Sequence, residues 1–287
     1  MSSEEPDGAA PPDGDGRRQP FVADIGGGYP VLLLHGQPGD GDDWSPVIGF
    51  LRQRAESLRL IAPDRPGYGR TGGRATGPLG NADFAADLLR DRRVGAAVVV
   101  GHSFGAAVAL ALAERHPELV SGLVLVAPAG NRAALGAVDR LLAVPGVGEA
   151  VAFAGVRATG RVGQGMSGPL RHLLGPLTGA AGVPAERAAG YSAWLGQPVW
   201  QAFAVEQRGL LAETEAIEDG LGTVTVPATV ITGASDRIVP PAAARRLAEA
   251  LPGGRLLTVA RAGHLLIWRR PAEVADAVAD MVELVSG

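Results

Sequence analysis

Ser103 is the residue of this chain whose surroundings point most directly to chemistry. It stands in the segment Gly101-His-Ser-Phe-Gly105, inside an apolar run. The GxSxG spacing is typical of a nucleophile elbow, a tight strand-to-helix turn that lifts a serine oxygen out of the backbone. Glycines are needed at both ends because side chains there would collide with the neighbouring strand and helix. We therefore predict that Ser103 is a nucleophile; the alternative is a serine that only caps the following helix.

A serine nucleophile needs a base, and the base needs a carboxylate that orients it. His264 ends the loop segment Ala260-Arg-Ala-Gly-His264, between the last predicted strand and the final predicted helix. We predict that it is the base; the alternative is a loop histidine bonded to solvent. Asp236, in Gly233-Ala-Ser-Asp236, follows another predicted strand and is the predicted acid. Asp64 also stands at a strand end, and we interpret it as structural.

The sequence contains five histidines, and the other four fit the role of base less well. His102 adjoins the serine, but we expect its side chain to point away from the hydroxyl and to pack. His35 begins a loop at the end of a predicted strand. His116 lies at a polar helix end, where we expect it to be solvated, and His172 lies in a segment without strand pattern.

Acyl transfer also needs two N–H donors for the oxyanion that develops on the substrate. The backbone N–H of Phe104, at the positive end of the helix after the serine, is one predicted donor. The backbone N–H of Gln37, in the loop His35-Gly-Gln-Pro-Gly39, is the other. The glycines of this loop let its backbone come close, and its proline has no N–H to donate.

A second glycine pattern, Gly67-Tyr-Gly-Arg-Thr-Gly72, fits GxGxxG and follows a predicted strand, so a dinucleotide site has to be considered. The context does not fit, because no helix opens there and the next helical pattern waits until Asn81, its expected N-cap. We interpret the segment as a turn whose glycines permit positive φ and whose Asp64 accepts local backbone hydrogen bonds. The sequence therefore implies no nucleotide cofactor, and it implies no metal.

Short apolar runs alternate with helical patterns along most of the chain, which favours a parallel sheet covered by helices on both faces. Active sites of such sheets lie at the carboxyl ends of the strands, and Ser103, Asp236 and His264 all follow such ends. The predicted strands run from Tyr29 to Leu34, Leu58 to Ala62, Ala96 to Val100, Leu123 to Val126, Ala228 to Thr232 and Arg255 to Val259. Helices are predicted from about Asp43 to Arg54, from Pro240-Pro241 to just before Gly253-Gly254, and after Pro271.

The alternation breaks between residues 131 and 221, a segment that is helical in pattern and rich in Gly and Ala. We predict an insertion there, a core domain over 21–130 and 222–287, and an acidic, Pro- and Gly-rich disordered tail over 1–20. Aromatic residues of the insertion are candidate substrate contacts, although aromatics at helical spacing also pack in cores. They are Phe153, Tyr191, Trp194, Trp200 and Phe203.

Composition removes several classes of function. The chain has no cysteine and no lysine, so all 26 basic residues are arginines, and thiolate, Schiff-base and Ser-Lys chemistry are excluded. A net charge of −4, without arginines interleaved with aromatics, argues against nucleic acid as a partner. The apolar run 94–113 is long enough to span a bilayer, but the polar pair at its centre favours strand, turn and helix. No secretory signal follows Arg17-Arg18, so we expect a cytoplasmic protein without a membrane partner.

Three motifs and the chain order of the candidate residues resemble the α/β-hydrolase superfamily, over roughly residues 21–287. They are HGQPG at 35–39, DRPGYGRT at 64–71, GHSFG at 101–105, and the order Ser103, Asp236, His264. The resemblance implies an α/β fold with a mostly parallel central sheet flanked by helices, and a helical cap at 131–221. Serine at 103, rather than aspartate, argues against the haloalkane dehalogenase and epoxide hydrolase branches. The N-terminus departs from the family, because it leaves room for only one strand before Tyr29.

The resemblance also implies an acyl-enzyme mechanism, in which Ser103 attacks a carbonyl, His264 moves the proton and Asp236 holds the imidazole tautomer. Our first hypothesis is a serine hydrolase that cleaves an ester, lactone or amide of a small apolar molecule, as a monomer or homodimer. The second is a carbon–carbon bond hydrolase or lyase. Such a hydrolase would need a cap arginine to hold a substrate carboxylate: Arg157, Arg161 or Arg187. The third is a non-catalytic ligand receptor, which has no need to keep all three groups.

Overall fold

A twisted sheet organises the chain, whose computed structural model describes residues 20–54, 57–154 and 199–287. The strands are β1 (Val22–Gly26), β2 (Tyr29–Leu34), β3 (Leu58–Pro63), β4 (Ala97–His102), β5 (Val120–Val126), β6 (Ala228–Gly233) and β7 (Gly254–Val259). Within the described residues these seven strands form one sheet in the order β1-β3-β2-β4-β5-β6-β7. Neighbours are parallel, except that β1 is antiparallel to β3.

Both faces of the sheet are buried, which explains why its central strands are apolar without alternation. Consecutive side chains of a strand point to opposite faces. Leu32 and Leu34 accordingly join one core cluster, whereas Val31 and Leu33 join another on the opposite face. All four side chains are fully buried. The fold is therefore a sheet between two layers of apolar packing, as predicted.

Most of the helices supply those two layers. They are α1 (Ser45–Arg54), α2 (Pro78–Asp91), α3 (Phe104–Arg115), α4 (Ala137–Ala143), α5 (Val199–Gly220), α6 (Pro241–Ala250), α7 (Leu266–Arg269) and α8 (Pro271–Ser286), with short 3-10 helices at Gly41–Trp44, Pro117–Leu119, Arg132–Ala134 and Leu221–Thr223. Helices α2, α3, α5 and α6 bury apolar residues in the first cluster. Helices α1, α7 and α8 bury theirs in the second.

The sequence patterns predicted most of these elements. All six predicted strands are confirmed with small shifts of their ends, and the single strand expected before Tyr29 is β1. The run 94–113 forms a strand, a turn and a helix, as expected. The predicted N-cap at Asn81 is wrong, because α2 begins at Pro78 with Gly77 as its N-cap. Proline at the first helical position sets φ in advance, and the Asn81 amide lies inside the helix and donates back to Gly77 O.

The segment between β5 and β6 carries α4 and the long helix α5 in its described part. Leu210 and Ile217 of α5 belong to the first core cluster, so the second half of this helix packs on the sheet layer. None of the helices in the described ranges is long and apolar enough to cross a membrane. The predicted tail over 1–20 lies outside the described residues but for Pro20, and the domain boundaries stay a prediction.

Candidate active site

Ser103 occupies a tight turn between β4 and α3, in a backbone conformation that side-chain-bearing residues rarely adopt. Its φ is 53° and its ψ is −115°, and such backbone strain is typical of functional sites. A Cβ atom on Gly101 would collide with the carbonyl oxygen of Gly105, and one on Gly105 would collide with the carbonyl oxygen of Leu34. The flanking glycines are therefore required by the close approach of helix and strand, as the GxSxG pattern predicts.

The structure brings the three predicted residues Ser103, His264 and Asp236 together. The distance from His264 Nε2 to Ser103 Oγ is 3.0 Å, and the distance from His264 Nδ1 to Asp236 Oδ2 is 2.9 Å. A carboxylate only accepts hydrogen bonds, so Nδ1 carries the proton and Nε2 is free to accept one from the serine. The Asp236 side chain is completely buried and the His264 side chain is 8% exposed. This arrangement can transfer a proton from the hydroxyl to the imidazole.

Backbone hydrogen bonds fix Asp236 and tie its loop to the loop that carries His264. The second carboxylate oxygen, Oδ1, accepts from the N–H groups of Ile238 at 2.8 Å and Val239 at 3.0 Å. The N–H of Ser235 donates to the carbonyl oxygen of Ala262 at 2.8 Å. The acid and the base are thus held in one rigid unit at the carboxyl ends of β6 and β7.

Asp64 has a structural role, because its carboxylate is occupied by local hydrogen bonds. Its buried carboxylate accepts from the Gly41 N–H at 2.8 Å, the Arg70 N–H at 2.8 Å and Arg70 Nε at 3.0 Å. The turn that follows has positive φ at Gly67, Gly69 and Gly72, and no helix opens there. The geometry agrees with the interpretation of Asp64 as structural and with that of the glycine pattern as a turn.

The loop after β2 lies directly against the nucleophile. A Cβ atom on Gly36 would be 3.4 Å from Ser103 Cβ and 3.0 Å from His102 Nδ1, so a side chain here would be crowded against the nucleophile and its neighbour. Phe104 is the first residue of α3, and its N–H has no acceptor within the helix. Among the described residues, neither that N–H nor the N–H of Gln37 has a hydrogen-bonding partner. Both predicted oxyanion donors are therefore unpaired within the described residues, and their role in binding an oxyanion stays a prediction.

His102 packs under the site, as predicted. Its Nε2 donates to the carbonyl oxygen of His264 at 3.2 Å, and the two rings lie 5.2 Å apart between centroids. Burial lowers the pKa of His102 to about 3, and the nearby His264 adds to this shift. His102 is therefore a neutral donor that supports the base.

The expectation that His116 is solvated is wrong, because its ring lies 3.0 Å from an Asp83 carboxylate oxygen and is mostly buried.

A buried ion pair beside the site was not found from the sequence. Arg65, at the end of β3, and Glu206, in α5, are both completely buried and bonded to each other. Burial raises the pKa of Glu206, and the Arg65 guanidinium opposes that shift. A signal for Glu206 does exist: it lies on the apolar stripe of α5, four residues after Ala202 and four before Leu210. A lone acid on a buried stripe predicts a buried cationic partner.

The candidate aromatics of the insertion are only partly described. The Phe153 and Trp200 rings pack edge to face at 5.9 Å, and Phe153 remains 45% exposed. Phe203 is half-buried on α5. Tyr191 and Trp194 lie outside the described residues, as do His172, Arg157, Arg161 and Arg187. Substrate contact by any of these residues stays a prediction.

A mostly parallel sheet with serine, aspartate and histidine after β4, β6 and β7 defines the α/β-hydrolase class. The sequence pattern of the alpha/beta hydrolase family matches residues 31–277, and the chain belongs to this family. The structure is also similar to a thermophilic esterase from Thermogutta terrifontis, with a TM-score of 0.69 and 25% identity, over 93% of this chain and 94% of that one.

Curated relatives carry different activities in their names. BpoC of Mycobacterium tuberculosis, named as a candidate non-heme bromoperoxidase, is 32% identical over 267 residues, or 89% of this chain and 94% of BpoC. The 2-hydroxymuconate semialdehyde hydrolase of Pseudomonas sp. (strain CF600) is 37% identical over 110 residues. That match spans 37% of this chain and only 39% of the hydrolase. Family membership is thus shared by proteins whose named reactions differ.

Proposed function

We propose that this protein is a serine hydrolase that cleaves an ester, lactone or related acyl bond of a small apolar substrate. The observation that carries the proposal is the hydrogen-bonded chain from Ser103 through His264 to buried Asp236. A nucleophile, a base and an orienting carboxylate in this geometry are the components of acyl transfer. The similarity to the Thermogutta esterase supports the same chemistry.

In the first half of the reaction, Ser103 Oγ attacks the substrate carbonyl carbon while its proton passes to His264 Nε2. The carbonyl π pair moves to oxygen and gives a tetrahedral oxyanion. When this intermediate collapses, the bond to the leaving group breaks, and the imidazolium returns its proton to the departing oxygen. An acyl-enzyme ester on Ser103 and a free alcohol result.

In the second half, water replaces the serine as nucleophile. His264 accepts a proton from the water as it attacks the acyl carbon, and then protonates Ser103 Oγ as that bond breaks. Asp236 stays ionised throughout and stabilises the imidazolium through its 2.9 Å hydrogen bond. The N–H groups of Gln37 and Phe104 bind the oxyanion in both halves.

Hydrolysis of a carbon–carbon bond is the second candidate. The observation that favours it is the similarity to 2-hydroxymuconate semialdehyde hydrolase, whose substrate has no ester or amide bond. The same three residues would serve, but the leaving group would be a carbanion that needs a proton on carbon. A vinylogous 1,5-diketone is the diagnostic substrate for this alternative, and a p-nitrophenyl ester is the diagnostic substrate for the first.

The test combines covalent labelling with turnover. A fluorophosphonate probe should form one adduct, on Ser103, and Ser103→Ala should abolish it. Ser121→Ala is the matched control, because Ser121 lies on β5 and its hydroxyl accepts from Tyr29 Oη; it should label like the wild type. Peptide mapping that places the adduct elsewhere would falsify the proposal and show a different nucleophile. No adduct, while a control serine hydrolase labels, would contradict it and favour a ligand-binding protein. Turnover of the diketone but of no ester would select the second candidate.

A further inference from the structure

Arg65 lies beneath the loop that carries one of the two proposed oxyanion donors. Its guanidinium is completely buried. Nε donates to the carbonyl oxygen of His35 at 3.1 Å, and Nη2 donates to the carbonyl oxygen of Gly36 at 2.9 Å. The planar fork of arginine therefore holds two successive peptide groups from two rigidly spaced nitrogen atoms, a geometry that the single nitrogen of a lysine does not reproduce.

The second of these peptide groups contains the oxyanion donor itself. The carbonyl of Gly36 and the N–H of Gln37 belong to one planar unit and, in a trans peptide, point in opposite directions. A donor that fixes the carbonyl therefore fixes the direction of the N–H. His35 Nδ1, 2.8 Å away, donates to the same carbonyl oxygen, because its Nε2 must accept the Arg65 N–H at 3.0 Å. Two donors on one oxygen leave this peptide plane little freedom to rotate.

Arg65 also contacts the residue that supplies the other donor. Its guanidinium carbon lies 4.6 Å from the centroid of the Phe104 ring, within the range of a cation–π interaction. One side chain thus touches both halves of the proposed oxyanion hole.

Helix α5 supplies the charge that keeps Arg65 in place. An unpaired buried cation is costly, so its position depends on its counterion. Glu206 bonds both terminal nitrogens of the guanidinium, Nη1 through Oε1 and Nη2 through Oε2 at 3.3 Å, and it accepts the Tyr68 hydroxyl at 2.8 Å. A second contact runs in parallel, since Gln37 Nε2 donates to Gln207 Oε1 at 2.6 Å. Two adjacent residues of α5 therefore support the loop: Glu206 through Arg65, and Gln207 through the side chain of Gln37.

We propose that Arg65 and Glu206 are positioning residues that align the Gln37 N–H for the oxyanion, so that α5 contributes to the rate of the chemical step as well as to substrate choice. The inference rests on the proposed function, because it presupposes an acyl-transfer oxyanion. Preorganised donors act chiefly on the transition state. Disturbing them should therefore lower kcat and leave KM nearly unchanged.

The competing explanation is that the ion pair only stabilises the fold. Two variants separate these roles. Arg65→Lys keeps the charge that faces Glu206 but loses the fork. The double variant Arg65→Met/Glu206→Met replaces the pair by apolar volume, a change that is often neutral for stability, yet it leaves the loop carbonyls without the arginine donor.

Two matched controls and one milder variant complete the set. Arg70→Lys makes the same exchange at an arginine that bonds Asp64 and Asp42 rather than the loop. Leu210→Ala opens a cavity in the first core cluster from the same helix as Glu206 and lowers stability without removing a hydrogen bond to the loop. Gln207→Met removes the second contact without burying a charge, so it is expected to fold.

The assay is hydrolysis of p-nitrophenyl butyrate, with inhibition by a trifluoromethyl ketone, whose adduct places an oxyanion in the same hole. Removing one oxyanion donor costs about 10²- to 10³-fold in kcat, so a misaligned donor should cost about 10- to 100-fold. We expect this loss in Arg65→Lys and in the double variant, a smaller loss in Gln207→Met, and an inhibition constant that rises in parallel. Both controls should keep kcat within about twofold, because within the described residues neither side chain is hydrogen-bonded to residues 35–39.

The outcomes are distinct. Wild-type kcat in Arg65→Lys, or in a double variant with native thermal stability, would overturn the positioning role and leave the proposed function intact. A wild-type enzyme without ester turnover and without labelling of Ser103 would overturn the proposed function, and the positioning role with it. If Leu210→Ala lost kcat together with stability, lost stability alone would explain the fall in kcat of the Arg65 variants, and the positioning role would be refuted.

Discussion

Glu114 makes stability depend on pH in a way that can be tested on one side chain. It lies in the last turn of α3, where the negative end of the helix dipole disfavours an anion. Its Oε1 atom is buried and has no hydrogen-bonding partner among the described residues. The backbone of Gly220 crowds it, since a Cβ there would be 2.7 Å from Glu114 Cδ. Burial raises the pKa of Glu114 from 4.5 to about 7.

The sign of the effect follows from the direction of the shift. A carboxyl whose pKa is higher in the folded state is stabilising when protonated, below pH 4.5, and this contribution is lost as the pH rises through 7. A shift from 4.5 to 7 would correspond to about 3 kcal/mol without screening. Because the side chain is partly exposed, solvent reduces the effect to about 1 kcal/mol.

The perturbation is Glu114→Gln, which keeps the shape and removes the charge. The free energy of unfolding of the variant should exceed that of the wild type by about 1 kcal/mol at pH 8, and this excess should shrink as the pH falls toward 4.5. Urea titrations at pH 5, 6, 7 and 8 measure this difference. Glu249→Gln, at an exposed position of α6, is the control and should show no pH-dependent difference. If the free energies of unfolding of Glu114→Gln and wild type differ by the same amount at every pH from 5 to 8, the reasoning is refuted.

Two further predictions concern the site. Asp236→Asn should lower kcat by about 10⁴-fold, because Asn presents an N–H or a weaker acceptor to His264 Nδ1, whereas folded Asp64→Asn should keep kcat within about tenfold. Circular dichroism with steady-state kinetics checks both, and the reverse pattern would show that Asp64 is the acid. For His102→Gln, the pH profile of kcat/KM between pH 5 and 9 should keep the apparent pKa of the wild type, because the pKa of His102 is about 3 and the ring stays neutral there. A displaced profile would contradict this.

The sheet and the three candidate residues were predictable because their signals are local. Strands buried on both faces read as apolar runs, and a nucleophile between strand and helix requires glycines at fixed offsets, here Gly101 and Gly105. Parallel strands place their carboxyl ends at one edge. The sequence could therefore predict that Ser103, Asp236 and His264 come together, although they lie far apart along the chain.

The errors and omissions involve contacts that local patterns do not encode. Asn81 resembles an N-cap by residue type, but Pro78 begins the helix three residues earlier, and the asparagine turns inward. Arg65 and Glu206 lie 141 positions apart in the chain, and no sequence motif links the two residues. In the sequence analysis, Arg65 is only one letter of the motif DRPGYGRT at 64–71, with no role assigned to it. Only the folded arrangement shows that its guanidinium spans the carbonyls of the loop after β2.

Helix α5 brings together two roles that the sequence predicted for different parts of the chain. One is substrate contact by the insertion, and the other is oxyanion binding by the core, which Glu206 supports through Arg65. The first turns of this helix carry Trp200 and Phe203, the candidate substrate contacts, and Glu206 follows Phe203 by three residues, within one helical turn. The same turns bury Val199 against Tyr68, in a cluster that includes Leu265, the neighbour of His264. A helix moves as a rigid element over such distances. A substitution that shifts these turns to admit a different substrate therefore also shifts the counterion of Arg65, so under our proposal substrate preference and kcat change together.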